Sequence, residues 1–589
     1  MNTKKSNIIL AGLAALVLSS CTDSFLDTTS KTSLTSTNYY KTASQAESAV
    51  IGCYDRYQNT VSNGNLSIYQ ASETMSDDCF GGGGPDDGDN RLLDRMDMSV
   101  KSASTNLFGG IWGDYYKCIY NCNLLLGSID NIQWESDAER KSVEGQARAI
   151  RALAYFDLVR MFENVPLLTT PSSEKVPQAA PDEVYKLIVE DLKYAADNIQ
   201  TDKFTDNSAT LGRISRYAAA GMLARVYLFY DGVYNNNESK AMPGDLTKAE
   251  ALRYCEEVIN SGKFGLEDNY ADLWRASSAQ PSVKEQGLKD TYKEASQEVL
   301  WVVKFNNDQT WSSNSNGNRF VINIGIRNTW AAPYGFGWGA CTVTNSARNI
   351  FSADDKRFAA SIIDARSLTN NDGNGTVYEA QAKTDACDLT GYNIKKYTPL
   401  VFTDGSFVVD KESDVSGHNF MTSQDANWIL LRYSDVLLMA AELGSSNAAQ
   451  YYNSVMYRAY GNHNHDVSAA PSRDQIWQER RREFMGEGIR YFDLRRQGID
   501  AFVKAIMGQA YDNGSTSGTP SEIYENQQKT TIADTFKEQN IREKRGFWQI
   551  PSSEISKNRQ TMCLVIIAHS VCRASIVCFI LLLCFLLLL

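Results

Sequence analysis

Residues 142–168 read SVEGQARAIRALAYFDLVRMFENVPLL, and this stretch decides the fold class. Its apolar residues recur every three or four positions, the spacing that places side chains on one face of an α-helix. The residues of that face are Ala147, Ile150, Ala154, Leu158 and Met161. Pro166 cannot continue a helix, so we expect the helix to end before it.

Three further stretches repeat this pattern and follow one another along the chain. They are PDEVYKLIVEDLKYAADNIQ (181–200), ISRYAAAGMLARVYLFY (214–230) and LTKAEALRYCEEVINSGKFGL (246–266). Pro181 suits a helix start, and Gly262 suits a helix end. Consecutive amphipathic helices indicate stacked hairpins, and the small and aromatic residues of the second stretch are typical of tetratricopeptide units. The repeat is too degenerate to define a period by itself.

The pattern changes between about 276 and 427. VLWVVKF (299–305) reads as a strand, and the sequence after it is rich in Gly, Asn and Trp without a helical period. We expect loops and short strands there, and long irregular segments tend to carry function. Helix is predicted to return in ANWILLRYSDVLLMAAELG (426–444) and DQIWQERRREFMGEGIRYFDLRRQG (474–498).

The second of these helical stretches carries a dense group of arginines. Arg480, Arg481 and Arg482 are interleaved with Glu479 and Glu483. Alternating charges of opposite sign favour an internal ion-pair network over a polyanion-binding site.

Both ends of the chain have unusual composition. Residues 1–20 read MNTKKSNIILAGLAALVLSS, which is typical of a secretory signal, and LSSC (18–21) resembles a lipobox that makes Cys21 a lipidation site. The alternative is ordinary cleavage that leaves Cys21 as a free thiol. Residues 563–589 are almost entirely apolar and long enough to cross a bilayer. We interpret this tail as an aberrant end, with a true transmembrane helix as the alternative.

The composition excludes several classes of function. The chain has 70 acidic and 58 basic residues, a net charge of −12, which does not suit a nucleic-acid-binding protein. No metalloprotease, phosphate-loop or hydrolase-elbow motif occurs, so we predict no enzyme, no catalytic residue, no metal site and no cofactor. A structural calcium ion is the open alternative, at Asn370, Asp372 and Asn374 or in the loop of Asp86 and Asp87. The cysteine spacings define no disulfide framework.

Several motifs occur in an order that resembles the SusD/RagB family of outer-membrane nutrient-binding lipoproteins. The resemblance covers essentially residues 21–558, and several motifs in one order make it specific. The motifs are CTDSFLD (21–27), TNYYKTASQAESAVIGCYDRY (37–57), IWGDYYKCIYNCNLLL (111–126), QARAIRALAYFDLVRMFENVPL (146–167), RISRYAAAGMLARVYLFY (213–230), WILLRYSDVLLMAAE (428–442) and ERRREFMGEGIRYFDLRRQG (479–498).

The resemblance implies a fold, a location and a function. It implies a mostly α fold with four tetratricopeptide-like hairpins, in which a SusD-like domain over 21–562 divides into a hairpin scaffold (about 40–275), an irregular ligand-binding region (about 276–427) and a C-terminal helical part (about 428–562). It implies a lipid anchor at the outer surface of the cell outer membrane. Such proteins bind oligosaccharides, or sometimes peptides, without cleaving them and cap a SusC-like TonB-dependent transporter, which the hairpins would face.

Sugar chemistry then selects candidate ligand-binding residues in the irregular region. A sugar has an apolar C–H face and a polar rim, so its site needs exposed aromatic rings beside amide and charged groups. The candidates are Trp311, Trp330, Tyr334, Trp338, Arg327 and Asn328. Trp112 is assigned to the core, because it lies in a helical motif.

Two alternatives of function remain open. One is a family member that binds peptides or only protein partners, and the other is a surface glycoside hydrolase. The identity of a bound glycan does not follow from the sequence, because linkage preference depends on the angles between ring planes.

Overall fold

A computed structural model gives the fold of the central part of the chain. The described residues are 39–62, 66–96, 107–172, 175–202, 212–281, 288–308, 310, 316–509, 522–525, 528–531 and 538–557. The predicted signal sequence 1–20, Cys21, Trp311 and the tail 563–589 lie outside them.

Helices dominate the described residues, which confirms the predicted mostly α fold. The α-helices are α1 (Ala43–Ser62), α2 (Ile68–Thr74), α3 (Gly88–Asp94), α4 (Gly109–Leu126), α5 (Asp137–Phe162), α6 (Pro181–Asn198), α7 (Arg216–Tyr234), α8 (Lys248–Asn260), α9 (Arg275–Ser278), α10 (Arg319–Ile324), α11 (Asn345–Asn349), α12 (Arg357–Ser361), α13 (Val377–Gln381), α14 (Val408–Glu412), α15 (Tyr433–Glu442), α16 (Ala448–Tyr460), α17 (Arg473–Phe484), α18 (Arg490–Arg496), α19 (Ile499–Gln509), α20 (Glu538–Lys544) and α21 (Ser552–Lys557).

The strands of the described residues are short, with at most five residues each. They are β1 (Cys79–Gly82), β2 (Val165–Pro166), β3 (Gln178–Ala179), β4 (Gln280–Pro281), β5 (Leu288–Lys289), β6 (Val299–Val303), β7 (Ile326–Arg327), β8 (Phe336–Gly337), β9 (Ala340–Val343), β10 (Ile362–Asp364), β11 (Tyr392–Ile394), β12 (Trp428–Arg432), β13 (Glu522–Glu525) and β14 (Gln528–Thr531).

The long helices form an array of neighbouring hairpins. Helix α1 packs on α4, α4 on α5, α5 on α6, α6 on α7 and α7 on α8. Helix α8 then packs on α15, and α15 packs on α16. The array therefore continues after the irregular region, because the chain returns to pack on α8, the last long helix before that region.

Local chemistry explains where these helices begin and end. The Ser136 hydroxyl accepts a hydrogen bond from the backbone N–H of Glu139 at 3.1 Å, which caps the start of α5. Pro181 occupies the first turn of α6, as predicted. Gly262 follows the end of α8 with φ +63°, a conformation that favours glycine.

The irregular region is an insertion between two paired strands. Strands β6 and β12 run antiparallel, with Trp428 opposite Val303 and Ile429 opposite Val302. Residues 304–427, here called the insertion, thus begin and end at the paired strands β6 and β12. The prediction of helix from residue 426 was wrong for the five residues of β12, because a short apolar run does not distinguish a strand from a buried helix.

The insertion is tied back to the N-terminal part of the chain. Strand β1 pairs with β9 in a four-stranded sheet of order β1-β9-β11-β10. The insertion also contains the short helices α10 to α14. These helices were not predicted, since only loops and short strands were expected there. Each has five or six residues, too few to produce a recognisable helical period.

A buried ion-pair network joins the insertion to the C-terminal helices. The carboxylate of Glu483 on α17 contacts Arg357 of α12 at 2.9 Å and Arg432 at the end of β12 at 2.5 Å. Arg458 of α16 also pairs with Glu483, and all four side chains are at most 3% exposed. Asp435 of α15 forms a second set of ion pairs, with Arg225 of α7 in the helical array and with Arg480 of α17. The predicted internal role of this charged stretch is therefore confirmed.

The cysteines and Trp112 have structural positions. The cysteines of the described residues are buried and form no disulfide bond with one another. Trp112 is 4% exposed and belongs to the main hydrophobic core, as predicted. Within the described ranges, no helix is both long and apolar enough to cross a membrane.

We predict that Glu483→Gln destabilises the protein by about 3–5 kcal/mol, because the arginines around it lose a buried counter-charge. Urea unfolding followed by circular dichroism measures this. The matched control is Glu190→Gln, which removes an exposed pair with Lys186 and should cost less than about 1 kcal/mol. Equal effects of the two substitutions would contradict a central role for Glu483.

A pH effect is predicted for Glu73, a fully buried carboxyl on α2. Burial raises its pKa to about 8, above the ordinary value near 4.5. Its contribution to stability is therefore complete below about pH 4.5 and is lost as the pH rises through 8. Between pH 5 and 9, the free energy of unfolding should fall more steeply for the wild type than for Glu73→Gln. Parallel curves for the two proteins would show that Glu73 titrates normally.

Candidate ligand-binding site

The described candidates lie on one short segment of the insertion. Strands β7 and β8 pair in parallel, with Ile326 opposite Phe336 and Arg327 opposite Gly337. The loop between them carries Trp330, and the residue after β8 is Trp338. The β7–β8 pair thus fixes the positions of Arg327, Trp330 and Trp338 relative to one another.

Arg327 lies in a cradle formed by two glycines. A Cβ atom at Gly84 would lie 2.0 Å from Nη2 of Arg327, and one at Gly339 would lie 2.7 Å from its Cβ. A side chain at Gly84 would displace the guanidinium, and Gly339 has φ +73°, a conformation that favours glycine. The guanidinium donates to both carboxylate oxygens of Asp385 at 3.0–3.1 Å and to the carbonyl of Trp338 at 3.1 Å.

Asp385 is a site residue that sequence reasoning missed. It accepts hydrogen bonds from Arg327 and from the amide of Asn328 at 3.1 Å, and its side chain is 46% exposed. The hydrogen bond from Arg327 lowers the pKa of Asp385, so the carboxylate stays ionised. These three residues form a rigid polar group with acceptor oxygens open to solvent, and such oxygens bind ligand hydroxyls.

Trp338 stands beside a second arginine. The Trp338 ring is half-buried, and the Arg319 guanidinium lies 5.7 Å from the ring centroid. The Trp338 backbone N–H donates to Ile322 at 2.9 Å, which fixes the residue against α10. Burial lowers the pKa of Arg319, which the sequence did not single out. An aromatic face with a neighbouring cationic donor is suited to stacking and hydroxyl binding.

Trp330 is half-buried and held at one edge. It packs against a small cluster of Ile322, Val401 and Phe407. A Cβ atom at Gly405 would lie 2.5 Å from its ring, so the turn at Gly405 touches the indole. Part of the residue stays exposed to solvent.

Tyr334 has a different position from the two tryptophans. It is 9% exposed and packs in a core cluster with Ile326 and Leu400. Burial raises its pKa to about 12. This placement does not favour the predicted stacking role, because the ring already has protein contacts on its faces. Trp311 lies outside the described residues.

The calcium candidates use their oxygens within their own loops. Asn370 accepts the backbone N–H of Asp372 at 2.6 Å, and Asp372 accepts that of Asn374 at 2.7 Å. Asp87 accepts the N–H of Gly84 at 2.7 Å. In the part of the chain that the structure describes, no group of three or more His, Cys, Asp or Glu side chains could hold a metal ion.

A helical hairpin array with an irregular insertion that carries aromatic and polar groups defines a class of binding protein. Residues 297–562 match the SusD family, and residues 24–228 match a family described as starch-binding and associating with the outer membrane. The chain is 24% identical over 531 residues to SusD-like protein P25 of Formosa agariphila, which covers 84% of this chain and 90% of that protein. The chain belongs to the SusD/RagB family.

Solved structures show the same fold. Surface glycan-binding protein A of Bacteroides fluxus superposes with a TM-score of 0.67 at 22% identity, over 88% of this chain and 97% of that one. A laminarin-binding SusD-like protein superposes with a TM-score of 0.61 at 23% identity, over 82% and 96%. Surface glycan-binding protein A of Bacteroides thetaiotaomicron, solved with laminarihexaose, gives 0.63 at 21% identity, over 88% and 98%.

Proposed function

We propose that this protein is a non-catalytic glycan-binding lipoprotein that captures oligosaccharides at the cell surface. The observation that carries the proposal is the pair of half-buried tryptophans, Trp330 and Trp338, beside the polar group of Arg327, Asn328 and Asp385. The indole faces would stack on sugar rings, and the polar group would bind their hydroxyls. The glycan ligands named for similar structures support this assignment.

The charge state of Asp385 favours binding over hydrolysis. A general acid that protonates a glycosidic oxygen needs a raised pKa. The Arg327 hydrogen bond lowers the pKa of Asp385 instead. The Asp385 carboxylate is thus suited to accept hydrogen bonds from hydroxyls.

The location and the partner belong to the same proposal. Lipidation of Cys21 would anchor the mature chain at the outer surface of the outer membrane. The matched family description, which names association with the outer membrane, supports this location. The bound oligosaccharide is then passed to a SusC-like TonB-dependent transporter, which the helical array faces.

The test is titration calorimetry of the full chain in detergent against laminarihexaose and a panel of starch, plant, host and microbial oligosaccharides. We predict saturable binding of one glycan class without new reducing ends. Trp330→Ala and Trp338→Ala should each weaken it about tenfold, as expected for a lost stacking partner worth about 1–1.5 kcal/mol.

The control for these variants is Tyr120→Ala, which removes a 45% exposed aromatic ring from α4. It should leave glycan affinity unchanged. Release of reducing ends would contradict the non-catalytic assignment. Absence of binding across the panel would favour a peptide ligand or a role limited to protein partners.

A further inference from the structure

A second concave surface lies where the insertion joins the helical array. It is a cleft of about 480 Å³, here called the root cleft, and small-molecule sites commonly enclose about 300–1,000 Å³. Its walls include five segments, namely 273–276, Asp290, Tyr292 and Glu294, 305–307, 396–398 with Leu400, and 424–427. None of the candidate residues on the β7–β8 segment lines it, so the root cleft is a separate site.

We propose that the root cleft is a second carbohydrate-binding site, which takes one or two rings of a neutral sugar. This proposal goes beyond glycan capture at Trp330 and Trp338 and stands without it. The charges, the hydrogen-bonding groups and the rigidity of the cleft all suit such a ligand.

The basic groups of the root cleft are already neutralised. Arg275 contacts the two carboxylate oxygens of Glu412 at 2.6 and 2.7 Å and Asp290 at 3.1 Å. Lys396 pairs with the buried carboxylate of Glu487 at 2.6 Å. Both cations are already paired with acids of the protein, so neither is free to bind an anionic ligand.

Two polar groups in the cleft wall can form hydrogen bonds with a ligand that carries hydroxyls. Asp425 forms no ion pair within 4 Å among the described residues, and burial raises the pKa of its carboxyl. The hydroxyl of Thr398, which is 3% exposed, has no hydrogen-bond partner in the described part of the chain. A sugar hydroxyl both donates and accepts, so the hydroxyls of a bound sugar can donate to the carboxylate and bond to the threonine.

Aromatic rings supply the apolar part of the wall. Trp274, Phe305 and Tyr397 are buried in it, while Tyr292 is half-buried. The C–H face of a pyranose ring stacks on such a surface, and Tyr292 is the ring with free area for it.

The two chain segments at the root of the insertion are locked together. The backbone N–H of Phe305 donates to the side-chain oxygen of Asn427 at 2.9 Å. Asn318 donates to the carbonyls of Gln424 and Ala426 at 2.6 and 2.7 Å. The cleft is thus formed before a ligand arrives, which reduces the entropic cost of binding.

Two conservative variants test the proposal in the full chain. Thr398→Val removes an unpartnered hydroxyl and should fold at least as well as the wild type. Asp425→Asn removes the charge without changing the shape. Calorimetry with laminarihexaose and with maltohexaose, each alone, should show about fivefold weaker binding for Thr398→Val and about tenfold weaker binding for Asp425→Asn. The exposed Thr170→Val is the matched control and should bind like the wild type.

Combination with Trp330→Ala/Trp338→Ala separates the two sites. Binding that survives this double variant and is weakened by Thr398→Val supports the root cleft. Wild-type binding by both cleft variants overturns the root cleft and leaves the tryptophan site intact. If only the cleft variants weaken sugar binding, the result supports the root cleft and contradicts the tryptophan assignment. If the wild type binds neither sugar, the result overturns the root cleft.

Discussion

One buried carboxylate holds the parts of this protein in register. Glu483 is bound by Arg357 from the insertion, Arg432 from the end of β12 and Arg458 from α16. An unpaired charge in the core would be very costly, so these segments must assemble together or not at all. We infer that this requirement lets a long irregular insertion adopt a single arrangement on a helical scaffold.

The same constraint separates stabilising charges from ligand-binding groups. Five arginines of α17 and α18 pair with acids within the protein, so the dense basic stretch contributes to the core; they are Arg480, Arg481, Arg482, Arg490 and Arg496. Arg327 lies outside that network, and its partner Asp385 is nearly half exposed. A fixed frame with half-exposed tryptophans beside a solvated carboxylate is the surface that we propose binds the glycan, and membership of the SusD/RagB family agrees with this proposal.

Helical periodicity was sufficient to predict α5 and its neighbours, because an amphipathic face is a local property of the sequence. Trp428–Arg432 was misread, since its strand partner β6 is more than a hundred residues away. Asp385 was missed for the same reason, as it lies 58 residues from Arg327. Tyr334 looked like Trp330 in the sequence, but Leu400 from a later segment covers it. Contacts between residues far apart in the chain determine the structure at such positions, and these contacts cannot be read from the pattern of a single sequence.

In the proposed function, the insertion binds the glycan and the helical array supports the insertion. Hydrogen–deuterium exchange of the full chain, with and without a saturating glycan from the calorimetric panel, tests this most directly. We expect slower exchange in peptides from 316–427, with unchanged exchange in α6, α7 and α8. Slower exchange confined to those three helices would contradict it.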